Sequence, residues 1–145
     1  AMLYAAARAQ HVRQVIRPAI ASGQLMLTDR FVDSSIAYQG GGRRLGIERV
    51  QQINAAAVDG TLPDITVYLD IDHRKALERR WAASEPDRLE SEDVSFHARV
   101  EEAYHALIRQ DPKRFIAVDA DRSAEAIHAD ILARVLARLA ALEDV

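Results

Sequence analysis

The sequence predicts an α/β fold in which helices cover both faces of a parallel sheet. Three short apolar runs carry this prediction, because each has the length of a strand and is bounded by polar or turn-forming residues. The runs lie at residues 25–29, 65–71 and 114–119. Amphipathic stretches separate them, and strands that alternate with helices are typical of βαβ crossovers in a three-layer arrangement.

The helices are predicted from apolar residues that recur every three or four positions. They cover residues 2–22, 33–39, 47–58, 73–83 and 93–110, and a long closing helix begins after Ser123. We expect Pro18 to kink the last turn of the first helix and Asp33 to cap the second. Residues 40–44, which include three consecutive glycines, are expected to form a flexible loop.

The composition indicates a single domain over residues 1–145. A chain of 145 residues that is 49% hydrophobic can bury a sizeable core. The net charge of −3 argues against a general nucleic-acid-binding protein, since such proteins carry a basic excess. The absence of cysteine excludes disulfides and thiolate metal sites and fits a cytoplasmic location. No apolar run approaches the ~18 residues of a membrane span.

The first predicted strand ends in an acid and an arginine, Asp29 and Arg30. Open α/β sheets bind ligands at the carboxyl ends of their strands, so this pair points to a charged ligand. Hydroxyl, phenol and amide groups that suit a sugar or a base edge follow at Ser34, Ser35, Tyr38 and Gln39. A structural ion pair at a strand end remains the alternative. The sequence contains no G-x-x-x-x-G-K-[ST] loop, which normally accompanies such a pair in phosphoryl-transfer enzymes.

Arg8 lies on the apolar stripe of the first helix, four residues after Tyr4 and four before Val12. A guanidinium in that position needs a partner, because burying an unpaired charge is costly. Two interpretations remain open. In the structural interpretation, Arg8 extends to the edge of the stripe or pairs with a structural acid. In the functional interpretation, it points its donors into a pocket with Tyr4 as an aromatic wall.

Residues 3–46 resemble bacterial thymidylate kinases. The segment Asp-Arg-Phe-Val-Asp-Ser-Ser-Ile-Ala-Tyr-Gln-Gly-Gly-Gly at 29–42 is specific to that family among P-loop kinases, and the similarity continues through 63–71, 76–80 and 87–90. It covers nearly the whole chain. The resemblance implies the fold of a P-loop nucleoside monophosphate kinase that lacks its phosphate-loop segment, with a lid at about residues 79–92.

The resemblance implies a role for each residue of the acceptor site. Tyr4 would stack on thymine, and Arg8 would bond a base carbonyl. Ser35 would read the pyrimidine edge, and Tyr38 would pack beside the deoxyribose, where it would crowd a 2′-hydroxyl. Gln39 belongs to the same substrate-binding set.

The resemblance also implies which residues neutralise charge during transfer. Arg30 would hold the dTMP phosphate, and Asp29 would assist through Mg²⁺ and its waters, which suits a reaction that depends on positioning and charge neutralisation. Arg88 completes the catalytic set. The mobile lid would carry three arginines, with a substrate-binding acid just beyond them: Arg79, Arg80, Arg88 and Glu90.

The function implied is transfer of the γ-phosphoryl group of ATP to dTMP, giving dTDP, with Mg²⁺ accompanying ATP in the full-length enzyme. We expect the 145-residue chain to be inactive and without cofactor by itself, because it has no donor-binding loop. The alternatives are another nucleoside monophosphate kinase and a non-catalytic nucleotide-binding or oligomerisation fragment. Two departures from the family pattern are Ala7, where an aspartate is common, and a lid that is less basic than in many relatives.

The resemblance further predicts how the chain assembles. In the family, a strand absent from this sequence lies between the strands at 25–29 and 65–71. We therefore expect either that these two strands pair directly or that a second chain completes the sheet, since open apolar edges favour pairing. The expected form is a homodimer or another homo-oligomer that binds dTMP, and neither nucleic acid nor membrane is an expected partner.

Overall fold

A computed structural model describes residues 1–83 and 92–143 of the chain. The described residues form two compact units. The first contains Ala1–Leu62 and Glu92–Leu107, and the second contains the described parts of Pro63–Ser91 and Ile108–Val145. None of the described helices has both the length and the apolarity needed to cross a lipid bilayer.

The first helical segment confirms the prediction for residues 2–22 with one change of geometry. It consists of α1 (Met2–His11), a π-helical segment (Val12–Ile16) and α2 (Arg17–Ala21), which follow one another without a break. Pro18 lies in the first turn of α2, directly after the π-helical segment. Proline removes a backbone donor and clashes with the carbonyl four residues earlier, and the wider π-helical turn accommodates both effects. Where the sequence predicts a kink at Pro18, the structure has a π-helical segment directly before the turn that contains this residue.

The second helical segment differs from the prediction at its start. It comprises α3 (Val32–Ser35) and a π-helical continuation (Ile36–Gly42). Phe31, and not Asp33, is the N-cap residue, and no side chain caps the helix. The expected cap at Asp33 is wrong because that side chain is buried, with 5% exposed, inside the first turn.

The loop predicted for residues 40–44 is also wrong, because the three glycines continue the helix to Gly42. Gly41 and Gly42 lie against α6 (Val94–Gln110) at a distance that only glycine permits. A Cβ on Gly41 would lie 2.6 Å from Cβ of Ala103, and one on Gly42 would lie 2.6 Å from the ring of Phe96. Tertiary packing therefore overrides the weak helix propensity of glycine.

Two further helices of the chain begin and end close to their predicted bounds. Helix α4 spans Ile47–Val58, as predicted. Helix α6 begins one residue later than predicted, because the Asp93 carboxylate accepts a 2.8 Å hydrogen bond from the backbone N–H of Phe96 and so caps the helix. A buried cluster formed by Ala37, Phe96, Val100 and Ala103 joins α6 to the segment at 36–42.

The second unit contains a two-stranded parallel sheet of β1 (Thr66–Asp70) and β2 (Phe115–Asp119), in register from Thr66 opposite Phe115 to Asp70 opposite Asp119. These strands confirm the predictions at 65–71 and 114–119. Helix α5 spans His73–Ala83, as predicted, and α7 spans Ala124–Glu143. Ser123 caps α7, since its Oγ accepts a 3.3 Å hydrogen bond from the N–H of Ala126.

The strand predicted at residues 25–29 is wrong. These residues have no regular secondary structure, and Leu25 and Leu27 are 82% and 93% exposed. A strand exists only where a neighbour completes its backbone hydrogen bonds, and the only sheet among the described residues pairs β1 with β2. Residues 25–29 and 65–71 belong to different units, and the expected direct pairing between them stays a prediction. The prediction that another chain completes a strand here stays a prediction.

Candidate functional site

A cavity of about 280 Å³ opens on the first unit beside α1. Three of its lining residues, Tyr4, Arg8 and Arg30, were predicted from the sequence to bind a ligand. The other lining residues were not predicted, and they are Ala7, His11 and Phe31. The cavity thus unites residues of α1 with Arg30 and Phe31.

Arg8 lines this cavity and also meets three acceptors. Its Nη2 donates to Oγ of Ser35 at 2.7 Å and to the backbone oxygen of Phe31 at 3.3 Å, and its Nη1 donates to Oδ1 of Asn54. The guanidinium also lies 5.5 Å from the centre of the Phe31 ring. Burial lowers the pKa of Arg8, although the charge of Asp33 opposes that shift. The hydrogen bonds of Arg8 to Asn54, Phe31 and Ser35 are all to uncharged groups, while Asp33 acts on Arg8 through its charge.

Asn54 was missed by the sequence analysis, although the sequence contains a signal for it. It lies on the buried stripe of α4, four residues after Val50 and four before Val58. An amide in such a stripe must find hydrogen-bond partners. Its Nδ2 donates to the backbone oxygen of Val50 at 2.8 Å, and its Oδ1 accepts from Arg8. The single asparagine of the sequence is thus a buried partner of a cavity residue.

Arg30 occupies the other side of the cavity. Its guanidinium lies 5.2 Å from the centre of the Tyr38 ring, and Tyr38 meets Phe96 edge-on, with 6.1 Å between ring centroids. The backbone of Arg30 has φ of +64°, in the left-handed region that favours glycine. Asp29, its neighbour, is exposed. The predicted pair is thus placed on a bend, with the arginine above an aromatic ring.

The remaining predicted acceptor residues lie in the second helical segment. Ser35 is 5% exposed and contacts Arg8, whereas the neighbouring Ser34 shares a 2.8 Å hydrogen bond with the hydroxyl of Tyr104. Gln39 has a buried Oε1 with no hydrogen-bond partner in the part of the chain that the structure describes. The binding roles of these side chains stay predictions.

The buried hydroxyl of Tyr104 makes the free energy of unfolding depend on pH in the alkaline range. Burial raises its pKa to about 12, although the hydrogen bond with Ser34 opposes the shift. An ordinary tyrosine titrates near 10, so the stabilisation is complete below about pH 10 and is lost as the pH rises through about 12. We expect the free energy of unfolding of the wild-type chain to fall by about 3 kcal/mol, relative to Tyr104→Phe, across that range. Urea titrations of both chains at several pH values measure this, and a constant difference would contradict it.

A second cleft of the first unit, of about 340 Å³, is lined by three arginines, Arg43, Arg44 and Arg99, and two of these make contacts with neighbouring groups. Arg43 pairs with Glu92 at 2.5 Å and lies 5.4 Å from the centre of the Phe96 ring. Arg99 donates to Oγ of Ser95 at 2.7 Å and to the backbone oxygen of Gly42 at 3.1 Å. These contacts fix the start of α6, and they leave the smaller cavity as the stronger candidate for a ligand site.

The predicted lid residues are only partly described. Arg79 lies on α5, where Nη1 donates to the backbone oxygen of Ala120 at 2.6 Å and Nη2 pairs with Asp121 at 2.9 Å. Arg80 belongs to the same helix, but its side chain lies outside the described residues. Arg88 and Glu90 lie outside the described residues altogether. The structure therefore gives contacts for one predicted lid arginine.

Metal binding rests on a single predicted acid, Asp29. Its exposed carboxylate fits Mg²⁺, which usually keeps several waters and takes one or two carboxylates together with substrate phosphates. Within the described ranges, no three His, Cys, Asp or Glu side chains are grouped to hold a metal ion directly. The observed donor set is thus compatible with indirect binding.

Comparison with known proteins gives one consistent result. A family model described as "Thymidylate kinase" matches residues 1–131. The chain is 53% identical over 137 residues to a thymidylate kinase of Halothermothrix orenii, covering 92% of this chain and 65% of that protein. It is 44% identical over 144 residues to one of Limosilactobacillus fermentum, covering 98% and 67%. It is 46% identical over 141 residues to one of Geobacillus thermodenitrificans, covering 96% and 63%. The chain thus spans about two thirds of the length of these curated relatives.

Proposed function

Because this chain belongs to the thymidylate kinase family, we propose that it supplies the acceptor side of a kinase that transfers the γ-phosphoryl group of ATP to dTMP, giving dTDP. The observation that carries the proposal is the cavity where Tyr4, Arg8 and Arg30 meet. A nucleoside monophosphate has a ring, carbonyl oxygens and a phosphate. The cavity offers an aromatic face for the ring, guanidinium donors for the carbonyl oxygens and a second cation for the phosphate.

Each of these side chains has a proposed task. Tyr4, which is 58% exposed, offers an aromatic face on which thymine stacks. Arg8 donates to a base carbonyl, and the buried Ser35 beside it reads the pyrimidine edge. Arg30 holds the phosphate, because charge-assisted hydrogen bonds to phosphate are the strong ones. Tyr38 and Gln39 complete the site around the deoxyribose.

The proposed phosphoryl transfer depends on positioning and on neutralisation of negative charge. Asp29 is proposed to act on Mg²⁺ through the metal's waters. When bound with ATP, Mg²⁺ would supply positive charge that offsets the negative charge of the phosphates. Arg88 is proposed to stabilise the transferring group, in a lid that also contains Arg79, Arg80 and Glu90.

A homodimer is part of the same proposal. Exposed apolar side chains occur on α1, at Met2 and Leu3, and in the segment 25–29, at Leu25 and Leu27. Each of these four residues is between 68% and 93% exposed. Apolar surface of this kind supports contact with a second chain.

Calorimetric titration of the 145-residue chain with dTMP, dCMP and dGMP tests the acceptor site directly, without a phosphate donor. We expect weak binding with a preference for dTMP. Equal binding of dTMP and dCMP would favour another nucleoside monophosphate kinase. Failure to bind any of the three nucleotides would contradict the proposal and leave a non-catalytic fragment as the better account.

A further inference from the structure

Asn54 is held so that its amide has one orientation. Its side chain is 1% exposed, and Nδ2 donates to the backbone oxygen of Val50, one turn earlier on α4, at 2.8 Å. That hydrogen bond requires Oδ1 to point the other way, where it accepts from Nη1 of Arg8. Rotating the amide by half a turn would lose both bonds and place two sets of donors together.

Arg8 is therefore held from three sides. Asn54 holds Nη1 from α4, while Ser35 and the backbone oxygen of Phe31 hold Nη2. A planar guanidinium with acceptors at both terminal nitrogens cannot rotate freely about its Nε–Cζ bond. The remaining N–H groups keep a fixed direction while the side chain lines the cavity.

The chemistry of this partner is as informative as its position. A carboxylate at position 54 would pair with Arg8 and reduce its positive charge toward the cavity. An amide oxygen accepts the same hydrogen bond and leaves the charge in place. Asp33 is an acid that acts on Arg8 through its charge, which opposes the effect of burial on the pKa of Arg8. A neutral partner thus keeps Arg8 available to an electron-rich ligand atom.

We propose that Asn54 is a positioning residue, which fixes the plane of the Arg8 guanidinium and leaves its charge directed at the cavity. The proposal deepens the proposed function, because Arg8 would meet the base carbonyl of dTMP. It concerns this chain's own residues, so its first test requires no ligand.

Nuclear magnetic resonance of the arginine side chains supplies that test. The signals of Arg8 are assigned by their loss in Arg8→Lys. In the wild-type chain we expect a high order parameter for Nε of Arg8 and separate Nη1 and Nη2 signals. In Asn54→Ala and Asn54→Leu we expect a lower order parameter and merged Nη signals. Asn54→Asp, which retains an acceptor, should keep Arg8 ordered, and Gln52→Ala, an exposed amide on the same helix, is the control.

Titration with dTMP then distinguishes the effect of Asn54 on the orientation of Arg8 from its effect on the positive charge that Arg8 presents to the cavity. Asn54→Leu should weaken dTMP binding roughly tenfold because Arg8 is released. Asn54→Asp should weaken it as well, although Arg8 stays ordered. A mobile Arg8 in the wild-type chain would by itself overturn the proposal, and so would an order parameter that Asn54→Ala and Asn54→Leu leave unchanged. A wild-type chain that fails to bind dTMP would contradict the proposed function, while the ligand-free spectra would still decide the role of Asn54.

Discussion

Replacement of Gly41 by alanine is expected to lower the free energy of unfolding by about 2 kcal/mol. The new methyl group would lie 2.6 Å from Cβ of Ala103 and 3.0 Å from the backbone oxygen of Arg99. Neither atom is the end of a flexible side chain, so the segment at 36–42 and α6 must move apart. Alanine normally stabilises a helix by about 1 kcal/mol relative to glycine, so a loss of stability would reveal the steric conflict.

A double-mutant cycle with Ala103→Gly provides the control for this prediction. That substitution alone should destabilise α6, because it adds a glycine and removes a buried methyl group. In the double variant the methyl group on residue 41 occupies the space vacated at residue 103. The combined loss should therefore be smaller than the sum of the single losses. Urea denaturation measures all four chains, and strictly additive losses would contradict close packing at Gly41.

Replacement of Arg30 by alanine is expected to weaken dTMP binding roughly ten- to hundredfold, which corresponds to the loss of one charge-assisted hydrogen bond, about 1.5–3 kcal/mol. Arg30 lines the cavity and is positioned above Tyr38. Calorimetry with dTMP measures the change. Arg13→Ala is the matched control, since Arg13 is an exposed arginine of the same unit that does not line the cavity.

Thymidine distinguishes the phosphate from the rest of the ligand. It retains the base and the sugar of dTMP, so its affinity should be the same for the wild-type chain and for Arg30→Ala. An equal loss for dTMP and thymidine would assign Arg30 to the base or the sugar. Equal effects of Arg30→Ala and Arg13→Ala on dTMP would contradict its proposed role. Arg88→Ala is expected to matter less than Arg30→Ala, because a lid closes fully only on a complete complex.

The strands show which parts of the fold a sequence pattern can predict and which parts it cannot. The runs that became β1 and β2 were predicted because β-branched and aromatic residues favour a pleated, partly buried surface, and each strand has the other as its neighbour. The run at 25–29 has similar apolarity but belongs to no sheet among the described residues. Apolarity can be read from one segment, whereas a ladder of hydrogen bonds requires two.

The site divides in the same way. Tyr4, Arg8 and Arg30 were predicted because their chemistry and spacing are local properties of the sequence. Asn54 was not, because it is separated from Arg8 by 46 positions and only the fold brings the two together. The packing of Gly41 and Gly42 against α6 is likewise invisible in the local sequence, which predicts a loop at 40–44.

Because the backbone at Arg30 is left-handed, selection for stability and selection for ligand binding favour different residues at this position. An L-residue with φ of +64° costs roughly 1–2 kcal/mol, whereas glycine adopts this conformation without the steric penalty. A population of variants screened only for resistance to heat would therefore accumulate glycine at position 30. Glycine has no guanidinium, so a population screened for its affinity to a phosphorylated ligand would retain the arginine. The residue found at position 30 would thus show whether the population had been selected for heat resistance or for ligand affinity.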